Sequence, residues 1–265
     1  MSDVVLVEVA DRVATITLNR PEARNALSRE LLRAAPAAIA ECDASDEVDV
    51  LILTGADPAF CAGLDLKELG GDGGDKGSSS SMAAPREKRS GPFPARTKPM
   101  IGAVNGAAIT GGFELALACD FLIASDRARF ADTHARVGVQ PGWGLTVLLP
   151  QAIGVRRARE MSATGNFVDA PTALAWGLVN HVVPHEELLP FTRALAADIV
   201  GNDPAGVQQI FATYAAGAML AAGEAWDLET TNARDWLRGG GGAPEEIARR
   251  RQAIIDRGRA QSGGA

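Results

Sequence analysis

Two stretches of this chain use glycine at the step from an extended run into a helix, and each is expected to leave backbone N–H groups unpaired. In Ala59-Phe60-Cys61-Ala62-Gly63-Leu64-Asp65-Leu66-Lys67-Glu68-Leu69, a loop turns through Gly63 toward a short helix. In Asn105-Gly106-Ala107-Ala108-Ile109-Thr110-Gly111-Gly112-Phe113-Glu114-Leu115-Ala116, an apolar run passes through Gly111 and Gly112 into a second helix. The first amides of a helix have no intrahelical acceptor and lie at the positive end of its dipole. Two such donors converging on one oxygen form an oxyanion hole, which stabilises charge developing on a carbonyl or thioester oxygen. Either turn alone is ordinary, because most glycine-rich turns serve geometry only. Their pairing is the signal.

Other chemistries are poorly represented. The chain has no G-x-x-x-x-G-K-[ST] motif and no G-x-G-x-x-G motif with an acidic residue at the distance a dinucleotide site needs. His134, His181 and His185 lack metal-ligand spacing, and Cys42, Cys61 and Cys119 are far apart, as expected of free thiols. No metal and no separate cofactor is expected.

The elements that must position the two turns follow from periodicity. Residues 4–9 and 13–18 read as a hairpin around Ala10-Asp11-Arg12. A helix capped by Ser28 carries Leu31, Leu32, Ala35, Ala38 and Ile39 to Cys42, with Pro36 expected to kink or shorten it. Apolar runs at 48–54, 99–104 and 121–124 read as strands, with a helix over 113–119 before the third. Strands alternating with helices imply an α/β layout. Helices are then expected over 155–163, 170–176, 186–200, 204–220, 224–237 and 244–257. Residues 70–91, rich in glycine, serine and charge, read as a flexible loop, and Gly239 to Gly242 as a hinge. The chain divides on this reading into a core over 1–200 and a helical C-terminal region over 201–265.

With 265 residues, 46% of them hydrophobic and 22% charged, the chain can bury a sizeable core and is neither a disulfide scaffold nor a disordered polymer. Its net charge of −7 disfavours nucleic acid and anionic membrane surfaces as partners. No run approaches the roughly 20 apolar residues of a membrane-spanning helix. Met1-Ser2-Asp3 lacks the basic start of a signal peptide, so a cytoplasmic location is expected.

The two turns, together with Asn19-Arg20-Pro21, Asn25-Ala26-Leu27, Cys119-Asp120, Phe130-Ala131, Val137-Gly138, Pro141-Gly142, Thr164-Gly165 and Ala175-Trp176-Gly177-Leu178-Val179, resemble the enoyl-CoA hydratase/isomerase (crotonase) superfamily. The resemblance runs from about Val4 to the last helix. It implies a spiral of ββα units with a helical C-terminal trimerisation region, assembling as a homotrimer or a dimer of trimers. It places the oxyanion donors at Leu64 and Gly111 and the first of two catalytic glutamates at Glu114. The position of the second glutamate falls on His134, a side chain that can carry a proton near neutral pH. Gly142 corresponds to the family's amide for positioning water, and Trp143 stands where hydratases usually have a small residue. Contacts to the CoA part of an acyl-CoA carry over to Arg24, Ala26, Ala62, Asp65, Leu66 and Lys67. The implied activity is hydration of a 2-enoyl-CoA, the coenzyme being part of the substrate. The missing glutamate leaves isomerisation, decarboxylation or thioester hydrolysis on the same oxyanion hole as alternatives. The arginines at 249–251, 257 and 259 raise a non-catalytic or RNA-binding role, against which the net charge and Glu114 both weigh.

Overall fold

The computed structural model describes residues 4–65, 91–218 and 220–239. Strands β1 (Val5–Ala10) and β2 (Val13–Leu18) form the antiparallel hairpin. Helix α1 (Arg29–Ala44) begins at Ser28, whose hydroxyl accepts from the Leu31 N–H at 3.2 Å. It runs through Pro36 to Ala44 rather than being shortened. Leu31 and Ala35 before the proline and Ile39 and Cys42 after it are all buried, so packing on both sides outweighs one missing backbone hydrogen bond. Lys98 Nζ donates to the Cys42 and Ser45 carbonyls at 3.1 and 2.6 Å, placing a cation at the negative end of α1.

Next come β3 (Val50–Gly55), β4 (Ala59–Cys61), β5 (Met100–Val104) and β6 (Ala107–Ile109). Helix α2 (Gly111–Leu117), β7 (Phe121–Ser125), β8 (Arg129–Ala131) and the single-turn α3 (His134–Val137) follow. The chain continues through α4 (Leu145–Ile153), α5 (Val155–Thr164), β9 (Val168–Asp169), α6 (Ala170–Trp176), β10 (His181–Val183) and α7 (Leu188–Val200). Helices α8 (Pro204–Gly217) and α9 (Ala222–Arg238) complete the described elements. The chain separates into two compact units, 1–204 and 205–265. Of the stretch 70–91 only Gly91 is described, and the helix expected at 244–257 lies outside the described residues, as does the hinge beyond Gly239.

The strands alternate between two sheets. A six-stranded sheet has the order β1-β2-β3-β5-β7-β10, parallel except for the hairpin. A smaller sheet has the order β4-β6-β8-β9, with β4, β6 and β8 parallel. Each turn of the chain therefore gives one strand to the large sheet and the next to the small one, the repeated unit of a ββα spiral. Residues 59–61, expected as part of a loop, form a strand because Ala59 and Cys61 pair with Ala107 and Ala108, where small side chains let the backbones approach. Strand β3 is buried along its whole length. Leu51 and Leu53 pack with Leu31, Ile39, Phe60 and Phe113 on one face, while Val50 and Ile52 meet Leu188 and Ala196 of α7 on the other.

A buried asparagine links the hairpin to the small sheet. Asn25, at φ 55°, donates from Nδ2 to the Ala56 and Ala59 carbonyls at 2.8 and 2.6 Å, and its Oδ1 accepts from the Arg20 N–H at 2.8 Å. Asparagine tolerates this left-handed backbone better than most residues and here satisfies three main-chain groups. Asn25→Ala removes all three bonds at once and is expected to destabilise unit 1 by about 3 kcal/mol or more. Urea unfolding checks this: the midpoint falls while the slope stays constant.

Candidate active site

The three segments that carry the candidate residues all leave the small sheet at the same end. Gly63 and Leu64 follow β4, Gly111 to Glu114 follow β6, and Asp132 to His134 follow β8. Since β4, β6 and β8 are adjacent and parallel, their C-terminal ends bring the segments together. Crosslinks hold them there. The Thr110 N–H donates to the Ala131 carbonyl at 2.9 Å, and the Thr110 and Thr133 hydroxyls are hydrogen-bonded to each other.

The first two segments fit closely. Gly63 has φ 90°, and a Cβ there would lie 2.8 Å from the Ile109 carbonyl oxygen and 3.7 Å from the Gly111 nitrogen. A Cβ on Gly112 would lie 2.1 Å from the Cys61 carbonyl oxygen, so only glycine lets α2 start against β4. Thr110, just before α2, is held at φ 54° and ψ −115°, a backbone region costly for a β-branched residue. Leu64 is bridged to Leu27 through its neighbours: the Leu27 N–H donates to the Gly63 carbonyl at 2.8 Å and the Asp65 N–H to the Leu27 carbonyl at 3.3 Å. The Leu64 and Gly111 N–H groups themselves make no backbone hydrogen bond among the described residues.

Glu114 lies one helical turn into α2, only 3% exposed. Its Oε1 accepts from the Trp143 N–H at 2.7 Å, and its Oε2 is 3.4 Å from His134 Nε2. His134, 4% exposed, meets Asp132 Oδ1 through Nδ1 at 2.6 Å. The His134 main-chain N–H donates to the same oxygen at 3.2 Å. The imidazole is thus held between two buried carboxylates. Burial works against its charged form, but hydrogen bonds to Asp132 and Glu114 and the charges of both outweigh it, raising the His134 pKa from 6.5 to about 9. For Asp132, burial alone would raise the pKa, yet hydrogen bonds from His134 and Ser162 and the nearby positive charge bring it below the usual carboxylate value. Both shifts favour the imidazolium, whose Nε2–H would be directed at Glu114.

Trp143 is buried, and a Cβ on Gly111 would be 3.4 Å from its Cζ3, so the indole walls the site beside Gly111. A Cβ on Gly142 would meet nothing within 4 Å; the amide that holds the Glu114 carboxylate belongs to the next residue, Trp143. Backbone groups of Arg24, Ala26 and Ala62 are engaged within the fold. The Ala62 N–H donates to the Arg24 carbonyl at 3.0 Å, and the Ala26 carbonyl accepts from Arg20 Nη1 at 2.5 Å. Asp65 Oδ2 is 3.1 Å from both terminal nitrogens of Arg20, an ion pair that ties the Gly63 turn to the segment after the hairpin. Leu66 and Lys67 lie outside the described residues.

Asp132 has no counterpart among the candidates read from the sequence. The available signal was the Asp132-Thr133-His134 spacing, in which an aspartate accepts the N–H two residues on and so fixes the start of a turn.

Similarity to known proteins is extensive. Residues 8–238 match the family model described as enoyl-CoA hydratase/isomerase. A protein of Arabidopsis thaliana named as a probable peroxisomal enoyl-CoA hydratase is 39% identical over 231 residues, covering 86% of this chain and 84% of that protein. The short-chain-enoyl-CoA hydratase of Clostridium acetobutylicum is 37% identical over 205 residues, covering 77% and 78%. Among solved structures, an enoyl-CoA hydratase from Mycobacterium smegmatis superposes with a TM-score of 0.73 at 50% identity, covering 90% of this chain and 100% of that one. A spiral of two interleaved sheets with glycine turns at the ends of β4 and β6, matched by a family model across most of its length, places this chain in the enoyl-CoA hydratase/isomerase family.

Proposed function

We propose that this protein is an enoyl-CoA hydratase, adding water across the double bond of a 2-enoyl-CoA to give the 3-hydroxyacyl-CoA. The observation that carries this reading is the buried pair of Glu114 and His134, 3.4 Å apart, beside the Gly111 turn. Hydration needs a base for water and an acid for the α-carbon, and this pair supplies one of each.

In this reading the thioester oxygen accepts from the Leu64 and Gly111 N–H groups, which stabilise the enolate formed as the β-carbon is attacked. Glu114, fixed by the Trp143 N–H, takes one proton from water as the oxygen bonds to the β-carbon. The Gly142 N–H is the second hold on that water. His134 delivers its Nε2 proton to the α-carbon and becomes neutral. A proton then passes from Glu114 to His134 across the gap between them, restoring both groups; the sum is one water added. The backbone at Arg24, Ala26 and Ala62, with Asp65, forms the side along which the CoA moiety lies; Leu66 and Lys67 are the further CoA contacts that the family resemblance implies. Trp143 bounds the acyl end. Self-association as a homotrimer or dimer of trimers is what the family resemblance implies; Ile210 and Tyr214, exposed one turn apart on α8, are apolar surface that self-association could cover.

Crotonyl-CoA tests the reading through loss of its conjugated absorbance and appearance of 3-hydroxybutyryl-CoA. Glu114→Gln is expected to lower kcat by roughly 10²–10⁴ with substrate binding preserved; undiminished turnover excludes Glu114 as the base. Because His134 acts as the cation, activity holds at neutral pH and falls as pH rises through about 9. The kcat profile of the wild type against that of His134→Ala measures this limb, which the variant should lack along with most of the rate.

A further inference from the structure

Turnover by a histidine acid requires that the ring present Nε2–H, not a lone pair, to the reacting centre. Nothing in a glycine turn or a buried glutamate ensures this. The turn between β8 and α3 does.

We propose that Asp132 is a positioning residue that aims the His134 imidazolium at Glu114 and keeps it charged. The proposal rests, for its effect on turnover, on the hydratase reading above. Its geometry is independent of that reading. Asp132 is 2% exposed and its Oδ1 takes two hydrogen bonds from a single residue, from Nδ1 of His134 at 2.6 Å and from the His134 main-chain N–H at 3.2 Å. The carboxylate is thus fixed relative to the backbone that carries the ring. Ser162, reaching in from α5, supplies a further hydrogen bond. With Nδ1–H committed to Asp132, the remaining ring nitrogen, Nε2, faces Glu114 Oε2.

The charged groups around the ring are accounted for element by element. Glu114 approaches from α2 and Asp132 from the turn after β8, each with a carboxyl oxygen on one ring nitrogen. Helix α5 presents the neutral Ser162. Arg136, on the same single turn of helix as His134, points elsewhere, donating to the Thr164 carbonyl at 3.0 Å and to Asn166 Oδ1 at 3.2 Å. Two carboxylates and one imidazole in a buried site can hold one proton on the ring at neutral pH, and removing either carboxylate charge weakens that hold. The raised His134 pKa accords with this arrangement. In one cycle the Nε2 proton leaves for the α-carbon and returns from Glu114; the Nδ1 proton stays with Asp132 throughout, so Asp132 touches no substrate.

Asp132→Asn separates charge from shape, since the amide oxygen can still accept from Nδ1–H while the negative charge is gone. Imidazole ¹⁵N NMR follows the titration of His134 directly, its signals assigned among the three histidines by comparison with His134→Gln. The expected result is a His134 titration near pH 9 in the wild type that moves down by about one unit or more in Asp132→Asn. The alkaline limb of kcat for crotonyl-CoA should move down with it. The loss of kcat relative to the wild type should be greatest between the two titrations and smaller at neutral pH, while KM changes little. Asp132→Glu, which restores the charge, should recover the high titration and part of the rate. A His134 titration near 6.5 in the wild type, or one unmoved in a folded Asp132→Asn, overturns the proposal. If the wild type hydrates no enoyl-CoA, the hydratase reading fails, while the titrations still decide whether Asp132 holds the imidazolium.

Discussion

An imidazole ring held between two buried carboxyl groups is the interaction on which the proposed chemistry depends. Taking three ionisable groups out of water is costly, and the cost is offset only if each pair is close and hydrogen-bonded. Here Asp132 meets His134 at 2.6 Å, His134 meets Glu114 at 3.4 Å, and the other Glu114 oxygen is bound by a main-chain amide at 2.7 Å. The cluster brings two carboxyl groups and one imidazole together, the acid–base groups on which the proposed addition of water draws. The family resemblance implies a second glutamate at the position this chain fills with His134. In the proposed reading the aspartate two residues earlier makes that exchange workable, because it supplies the charge that keeps a histidine protonated in a buried site.

The rest of the fold can be understood as what places that cluster beside two backbone donors. Three adjacent parallel strands of three residues each, β4, β6 and β8, deliver the Leu64 turn, the Gly111 turn with Glu114, and Asp132 with His134 to one edge. Strands this short have little stability of their own. They are held because each is joined to a fully buried strand of the large sheet or packed beneath a helix, and because Asn25, Thr110 and the Arg20–Asp65 pair bind neighbouring turns to one another. Glycine at 63 and 112 removes the side chains that would keep those turns apart.

How much of this was legible beforehand depended on the length of each signal. The β-branched run of β3 and the spacing of Leu31, Ala35, Ile39 and Cys42 in α1 are long enough to be read directly, as are the glycine turns. The resemblance supplied Glu114 and the position of His134. The small sheet was hidden: alternation cannot be recognised over Ala59–Cys61 or Arg129–Ala131, and pairing with a distant strand decides their state. Helix α4 was overlooked for a similar reason, its apolar run crossing Pro150 with no cap but Gly144. Pro36 misled in the opposite direction, since a local rule was overruled by buried contacts on both sides. Asp132 was missed because its partner lies two residues away in a turn, and only the folded geometry shows that the ring continues to Glu114.

The most direct test of the account is a crystal structure of the protein with a 3-hydroxyacyl-CoA such as 3-hydroxybutyryl-CoA bound. The account predicts the thioester oxygen within hydrogen-bonding distance of both the Leu64 and Gly111 N–H groups, the 3-hydroxyl against Glu114, and the α-carbon facing His134 Nε2. A thioester oxygen bound by other donors, or an α-carbon turned away from His134, would contradict it.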